Sequence, residues 1–530
     1  MKANAERENS YIHLIFKTHL DIGFTDYAQN IRRQYHDFFI PMAIRTGEHL
    51  WHENPERPQF IWTTGAWLIH DHLEIGTPEQ RRALEVAIER GLISWHALPY
   101  TSHTELLSPD LFRAGLGFAA DLDRRFGCKT TGAKMTDVPG HTLGIVPLLA
   151  EAGVRFLHIG VNAASTPPSV PPVFRWRASG GEEVVVMYQN DYGKTYVPDG
   201  MSQGIAFAHA QDNVGPPGVA QTIEIYRQIN EEYPGANFRA STLTDYGDIL
   251  WEHRQNFPIV EQEIGDTWIH GVGTAPQKVS RFMSLRRLFE QWAQEDLSPR
   301  RTEMGRRLGM VAEHTWGVDC KTYLRNEEAW DRADFEKARI LDPRFKLSEH
   351  SWREQEALVD EAISALDDVD RREAETEARL PDVVETQGPF ERRSDVELGQ
   401  GRLSFDEHSG ALTQIHFPNG GVVQGQGGEL ATLSYESYDA RNMQAYMDGY
   451  LTLSVYWAVQ DQGKPGLERA STAVSDVFRP DWGGLAQPVK GAVTSKFRYS
   501  AIAAEQLGAP KNVEIHYEFE GAGTLEVTVC

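Results

Sequence analysis

Cysteine is scarce: Cys128, Cys320 and Cys530 are the only three in 530 residues. They are widely spaced, include no CxxC pair and leave one over, which argues against a disulfide framework and for a reducing cytoplasm. No stretch approaches the roughly 18 uncharged apolar residues that a membrane-spanning helix needs. The polar start, Met1–Ser10, lacks the apolar run of a signal peptide. Cations are also in deficit, with 52 Lys and Arg against 76 Asp and Glu and a net charge of −24. Such a field repels phosphate backbones and anionic lipid, so no nucleic acid and no membrane is expected as a partner. A neutral carbohydrate feels no such repulsion. There is no G-x-x-x-x-G-K-[ST] loop, no strand-linked GxGxxG and no Gly-x-Ser-x-Gly elbow, so nucleotide chemistry and the serine-hydrolase turn are not indicated. The last segment, Gly523–Cys530, alternates like a strand and stops with no turn or polar tail, as a piece of a longer protein would.

What is present is a succession of strands and helices. Tyr11–Thr18 (YIHLIFKT), Phe60–Thr63, Ile93–Ala97, Gly132–Thr136 and Arg155–Gly160 read as strands, and Phe238–Thr244 and Ile259–Glu263 supply later ones. Helical patterns over Pro78–Arg90, Asp110–Phe126 and Leu143–Glu151 separate several of them. That alternation predicts an α/β fold, a mostly parallel sheet forming an open or closed β/α barrel over residues 1–275, with reactive residues at the C-terminal strand ends. Phe174–Tyr188 reads as a β-hairpin turning at Gly180-Gly181, an excursion from the barrel. Residues 276–380 turn helical and are expected to form a bundle that completes the site. Its charged end, within Gln355–Arg379, reads as a solvated helix end or linker. Residues 381–530 carry short strand patterns among Gly- and Asn-rich turns, a β-sandwich signature.

Three short motifs carry chemistry. His19-Leu-Asp21-Ile-Gly23-Phe24 ends the first strand, and at a period of two His19 and Asp21 face one point. An imidazole and a carboxylate so placed suit a divalent ion such as Zn²⁺. Met135-Thr-Asp137-Val-Pro-Gly140-His141 puts a carboxylate in a tight turn after a strand, where it is equally suited to capping a helix. Val311-Ala-Glu313-His314-Thr-Trp316-Gly317 sets a histidine between acidic and aromatic neighbours, as a ligand or as a packed surface group.

In this order the motifs resemble glycoside hydrolase family 38, the α-mannosidases. There an H-x-D-x-G-aromatic motif ends the first strand, D-x-x-G-H follows about 110 residues later, and a distant histidine completes a metal site. Gly91–Glu105 looks like the family's segment of further pocket residues. Ile264-Gly-Asp266 with Gly271–Arg281 looks like its passage into the helical region. The resemblance implies that His19, Asp21, Asp137 and His314 hold a divalent metal, Zn²⁺ for preference, and that Asp137 is also the nucleophile of a retaining exo-α-glycosidase acting on an oligosaccharide. It implies a second carboxyl as acid/base. Asp245, in Leu243-Thr-Asp245-Tyr246, is the first choice, with a helix-capping role as the competing reading; Asp266 is second and Asp248 third. Phe24, His141, Asp266 and Trp316 are the expected substrate-binding residues. Thr315 stands where the family has an acid that reads sugar hydroxyls, which points to a glycoside other than mannose. A metal-dependent carbohydrate deacetylase and a non-catalytic sugar-binding barrel are the alternatives. The sequence does not fix the oligomeric state and leaves a homo-oligomer open.

Overall fold

The computed structural model describes residues 11–269, 274–380, 385–425, 429–487 and 491–530. It divides into two compact units. The first takes the described residues up to Leu324, together with Leu347–Leu380 and Tyr450–Ser454; the second takes Arg325–Lys346, Val455–Cys530 and the described residues between Leu380 and Tyr450.

The first unit is built on two five-stranded sheets. Strands β1 (Tyr11–Thr18), β2 (Trp62–Gly65), β3 (Ile93–His96), β8 (Gln203–Ala210) and β9 (Asn237–Ala240) form one, in the order β3-β2-β1-β8 with β9 also pairing β1, and every pairing is parallel. Strands β4 (Gly132–Asp137), β5 (Phe156–Val161), β6 (Val173–Arg177), β7 (Glu183–Gln189) and β10 (Ile259–Val260) form the other, in the order β10-β6-β7-β5-β4. Helices cover the sheets, as parallel strands require. Two starts are fixed by capping: Thr77 and Gln80 form a capping box before the helix Pro78–Glu89, and Ser108 Oγ accepts from Leu111 N before Pro109–Phe126. The first sheet buries Ile12, Leu14, Phe16 and Trp62 in one core, and the second buries Met135, Leu157, Val184 and Val186 in another. The helices Pro276–Glu295 and Pro299–Gly309 pack in this same unit around Phe282, Phe289 and Met304.

The expected hairpin is present, but it is no excursion. β6 and β7 are antiparallel around Gly181 (φ 95°), and β7 also pairs in parallel with β5. It is a central strand. Its run Val184–Met187 is buried throughout, the pattern of a strand covered on both faces rather than an alternating edge hairpin. Strand β8 was not anticipated; Gly204, Ala206, Ala208 and His209 give it a weak strand signature. It nevertheless pairs along the whole of β1, from Tyr11↔Gln203 to Thr18↔Ala210.

The second unit holds two four-stranded antiparallel sheets, Asp395–Leu398 to Val422–Gln424 and Asp481–Ala486 to Thr524–Val529. Leu403, Leu412, Val493, Ile515 and Tyr517 share one core between them. Among the described residues no helix is long and apolar enough to cross a membrane, and Cys128, Cys320 and Cys530 form no disulfide.

The central place of β7 has a measurable consequence. Val185→Asp buries a carboxylate with no partner and should cost at least ~4 kcal/mol or abolish soluble expression, read by urea unfolding. A peripheral hairpin would tolerate the change within about 1 kcal/mol.

Candidate metal centre and active site

His19 and Asp21 follow the end of β1, and both are buried. His19 Nε2 lies 3.0 Å from Asp21 Oδ1. From the other side His314 Nε2 comes to 3.1 Å from Asp21 Oδ1 and 3.4 Å from Asp137 Oδ2. Four side chains from three distant stretches of chain thus meet at one point. One donor atom each from His19, Asp137 and His314 lies within 4.8 Å of the others, and the same holds for His19, Asp21 and Asp212.

Donor chemistry decides whether this point fits a metal. Asp21 Oδ2 is buried with no hydrogen-bond partner among the described residues, and His19 Nε2, although 3.0 Å from Asp21 Oδ1, is not aligned to hydrogen-bond it, an arrangement that costs free energy unless something else takes the lone pairs. His314 Nδ1 lies 2.7 Å from Glu313 Oε1. A proton on Nδ1 leaves Nε2 as a lone pair facing the cluster, the carboxylate–histidine support typical of metal ligands. Two imidazole nitrogens and carboxylate oxygens make a donor set suited to Zn²⁺ or a similar divalent ion. The charges agree. Burial alone would raise the Asp21 carboxyl, but His19 and His314 beside it hold it below the ordinary carboxylate range. Burial would lower His314, but Glu313, Asp137 and Asp21 raise it, so a bound cation would take the place of the proton on Nε2.

The loops are tied down by residues that the motifs did not single out. Asn213, in the left-handed region (φ 52°), accepts from Asp21 N through Oδ1 (3.1 Å). Its Nδ2 is within 3.1 Å of the carbonyls of Asp21 and Gly23, and its own N–H donates to His19 O at 3.0 Å. The Tyr35 hydroxyl lies 3.2 Å from both His19 O and Asn213 Oδ1. Asp212, beside Asn213 and just past β8, is raised by burial and by Asp21. The Tyr192 hydroxyl bridges it to the second motif, 2.9 Å from Asp212 Oδ1 and 3.0 Å from Asp137 Oδ1. A strand recognised at Gln203–Ala210 would have marked Asp212 and Asn213 as a polar pair at a C-terminal strand end.

Asp137 is the last residue of β4 and has φ 79°. For a non-glycine residue that is a strained conformation, of the kind retained where a site demands it. Past it, Pro139-Gly140-His141 packs on the segment 264–267. A Cβ on Gly140 would come within 2.2 Å of Ile264 O, and one on Gly265 (φ 70°) within 2.3 Å of Pro139 O. His141 N donates to Ile264 O at 2.9 Å. Asp266 is thereby carried next to the Asp137 loop.

Asp245 is elsewhere. It is exposed and fills the capping box of the helix Leu243–Glu252, with Oδ2 3.2 Å from Thr242 N and from Ser241 Oγ. Ser241 is hydrogen-bonded to His13, six residues before His19 along β1. The structure does not bring Asp245 to the cluster, because the strand ends at Ala240 and the next residues start a helix. Asp248 pairs with Arg155 and Thr131 before β5 and β4, also away from the C-terminal strand ends.

The remaining residues divide. Phe24 (φ 59°) is half-buried, its N–H donates to Gly317 O, and Lys321 Nζ sits 4.6 Å from its ring centre. Trp316 is half-buried, with Lys278 Nζ 3.5 Å from its ring centre and the His103 ring edge-on at 6.2 Å. His141 is fully buried, with Nδ1 3.4 Å from Thr104 Oγ1. The segment Gly271–Arg281 begins outside the described residues.

Residues 272–527 match a family described as "Domain of unknown function (DUF5054)". No curated protein matches. Among solved structures, an α-mannosidase from Enterococcus faecalis V583 superposes with a TM-score of 0.56 at 9% identity, over 98% of this chain and 73% of that one. This chain shares the fold of that α-mannosidase. A family 38 glycosyl hydrolase from Enterococcus faecalis gives a TM-score of 0.48 at 9% identity, over 97% of this chain and 72% of that one. A 4-α-glucanotransferase from Thermococcus litoralis gives 0.36 at 14% identity, over 98% and 85%.

Burial and the nearby His103 hold His141 down at about 3. Its ordinary value is about 6.5. A depressed histidine costs nothing above its unfolded-state value and destabilises as pH falls below it. Unfolding free energy should drop on acidification from pH 6.5 towards 3, by up to ~1.4 kcal/mol per pH unit from this residue. His141→Gln should remove that share of the slope in urea titrations at pH 7, 6 and 5.

Proposed function

We propose that this chain is a metal-dependent retaining exo-α-glycosidase that hydrolyses a glycosidic bond in an oligosaccharide. The observation that carries this reading is the meeting of His19, Asp21, Asp137 and His314 with a buried nitrogen and a buried oxygen left without a hydrogen bond. The fold shared with an α-mannosidase supports the same reading, and the net charge of −24 suits a neutral substrate.

His19, Asp21, Asp137 and His314 would hold a divalent ion, with Zn²⁺ the best match to two imidazoles and two carboxylates. When bound, such an ion supplies Lewis-acid attraction for two vicinal hydroxyls of the sugar. The rest falls to the chain. Asp137 is the nucleophile. Tyr192 holds its Oδ1, and the strained backbone at φ 79° fixes the direction of its carboxylate. A carboxylate oxygen attacks the anomeric carbon as the glycosidic bond breaks, giving a glycosyl ester on Asp137. Asp266 is the acid/base. It gives a proton to the departing oxygen, then takes one from the water that attacks the anomeric carbon and frees Asp137. Asp266 takes this role in place of Asp245 because its segment packs on the Asp137 loop, whereas Asp245 is spent on a helix start. Retention calls for the two carboxyl groups to approach to about 5–5.5 Å when substrate is bound.

Aryl α-glycosides test the proposal. Turnover is expected, it should fall at least about 100-fold after removal of divalent metal and return with Zn²⁺. Asp137→Asn should lower kcat by about 10⁴-fold or more with the thermal midpoint within a few degrees of wild type. Retained turnover in Asp137→Asn would eliminate the nucleophile assignment. Release of acetate from acetylated sugars with no glycoside cleavage would favour a deacetylase, and sugar binding without turnover a non-catalytic barrel.

A further inference from the structure

Asp266 does not stand alone. Its Oδ1 accepts from the Trp268 backbone N–H at 3.0 Å, and its Oδ2 accepts from the Tyr450 hydroxyl at 2.9 Å. The Trp268 indole N–H donates in turn to the Tyr450 hydroxyl at 2.7 Å. The three residues close a ring in which both carboxyl oxygens are gripped. Trp268 makes these two contacts at φ 57°, a region that a bulky side chain rarely adopts.

Tyr450 comes from an unexpected part of the chain. Tyr450–Ser454 belongs to the first unit although the residues on both sides of it in sequence belong to the second. It is fastened to the loop after β5. Thr452 N donates to Ala164 O at 2.9 Å, Thr452 Oγ1 donates to Ala163 O at 2.8 Å, and Thr166 Oγ1 donates to Tyr450 O. The first residue of that loop, Asn162, donates its N–H to Asp137 O at 2.9 Å. A continuous set of hydrogen bonds therefore runs from the Asp137 backbone through residues 162–166 and Tyr450 to the Asp266 carboxyl. Burial pushes the Tyr450 hydroxyl up, and Asp266 adds to the rise, so it keeps its proton as a donor near neutral pH.

We infer that Tyr450 is a positioning residue for the acid/base, fixing the Asp266 carboxyl, with Trp268, in one orientation relative to the nucleophile Asp137. This rests on the glycosidase reading above. Rotation of a carboxyl group by a few tens of degrees is enough to misplace its proton, and in the bond-breaking step that proton matters only where the leaving group is a poor one. Loss of the Tyr450 hydroxyl should therefore be felt by some substrates and not by others.

The experiment uses the full 530-residue chain and two substrates of one sugar: a phenyl glycoside, whose departure needs a proton, and a 2,4-dinitrophenyl glycoside, whose departure does not. Tyr450→Phe should lower kcat/KM, which reports the bond-breaking first step, about 10-fold or more on the phenyl glycoside and leave kcat/KM on the dinitrophenyl glycoside within about 2-fold. Trp268→Phe should give the same pattern. Introduced into Asp266→Ala, Tyr450→Phe should add no further loss, because the group it acts through is gone. An equal loss on both substrates, or no loss on either, would overturn the inference. If Asp266→Ala discriminates between the substrates and Tyr450→Phe does not, only the inference falls. If Asp266→Ala does not discriminate, or wild type cleaves neither glycoside, the reading beneath it falls and takes the inference with it.

Discussion

Two imidazoles and four carboxyl groups, those of Asp21, Asp137, Asp212 and Glu313, occupy one poorly hydrated region at the C-terminal ends of β1 and β4. Like charges so placed repel, and burial makes each ionised group more costly. The surrounding backbone can be understood as what keeps them together. Asn213 ties β8 to the His19–Gly23 loop through its side chain and its own N–H. Tyr192 spans Asp137 and Asp212. Phe24, Asp137, Asn213 and Trp268 all take positive φ values, and all four lie in the segments that carry the cluster or Asp266. Strain of this kind persists only where surrounding contacts over-determine it. Here it collects around one charged point, while the regular strands beneath carry the apolar cores.

The division between strained loops and regular strands also decides what could be read in the sequence. Tyr11–Thr18 was legible because β-branched and aromatic residues fill it, and its end fixed His19 and Asp21 by the period of two. The order of the three motifs carried His314 to the same place, although nothing local to Glu313-His314-Thr315 demands it. Other parts left no local trace. Strand β8 is rich in Gly and Ala, so it was passed over, and Asp212 and Asn213 went with it. Val184–Met187 read correctly as a strand, but its membership of the central sheet depends on pairing with Phe156–Gly160, which no local pattern encodes. Asp245 and Asp266 both sit in acidic-aromatic surroundings. Only the contacts separate them: Thr242 and Asp245 satisfy the first turn of a helix, whereas Gly265 lets its segment press against Pro139.

The position after His314 shows how chemistry can be redistributed without changing the fold. The resemblance to family 38 leads one to look for an acid there, and Thr315 supplies none. Its hydroxyl lies 3.2 Å from Glu313 Oε1 and 3.5 Å from Asp21 Oδ1, so it is engaged within the cluster. A carboxylate nonetheless enters the same neighbourhood from the loop after β8, as Asp212, within 4.8 Å of the donor atoms of His19 and Asp21. A site built to hydrogen-bond a hydroxyl rejects a ligand whose hydroxyl points elsewhere far more strongly than an apolar wall rejects a misfit of similar size. Asp212 adds such a hydrogen-bonding group beside His19 and Asp21, held by the Tyr192 hydroxyl that also binds Asp137.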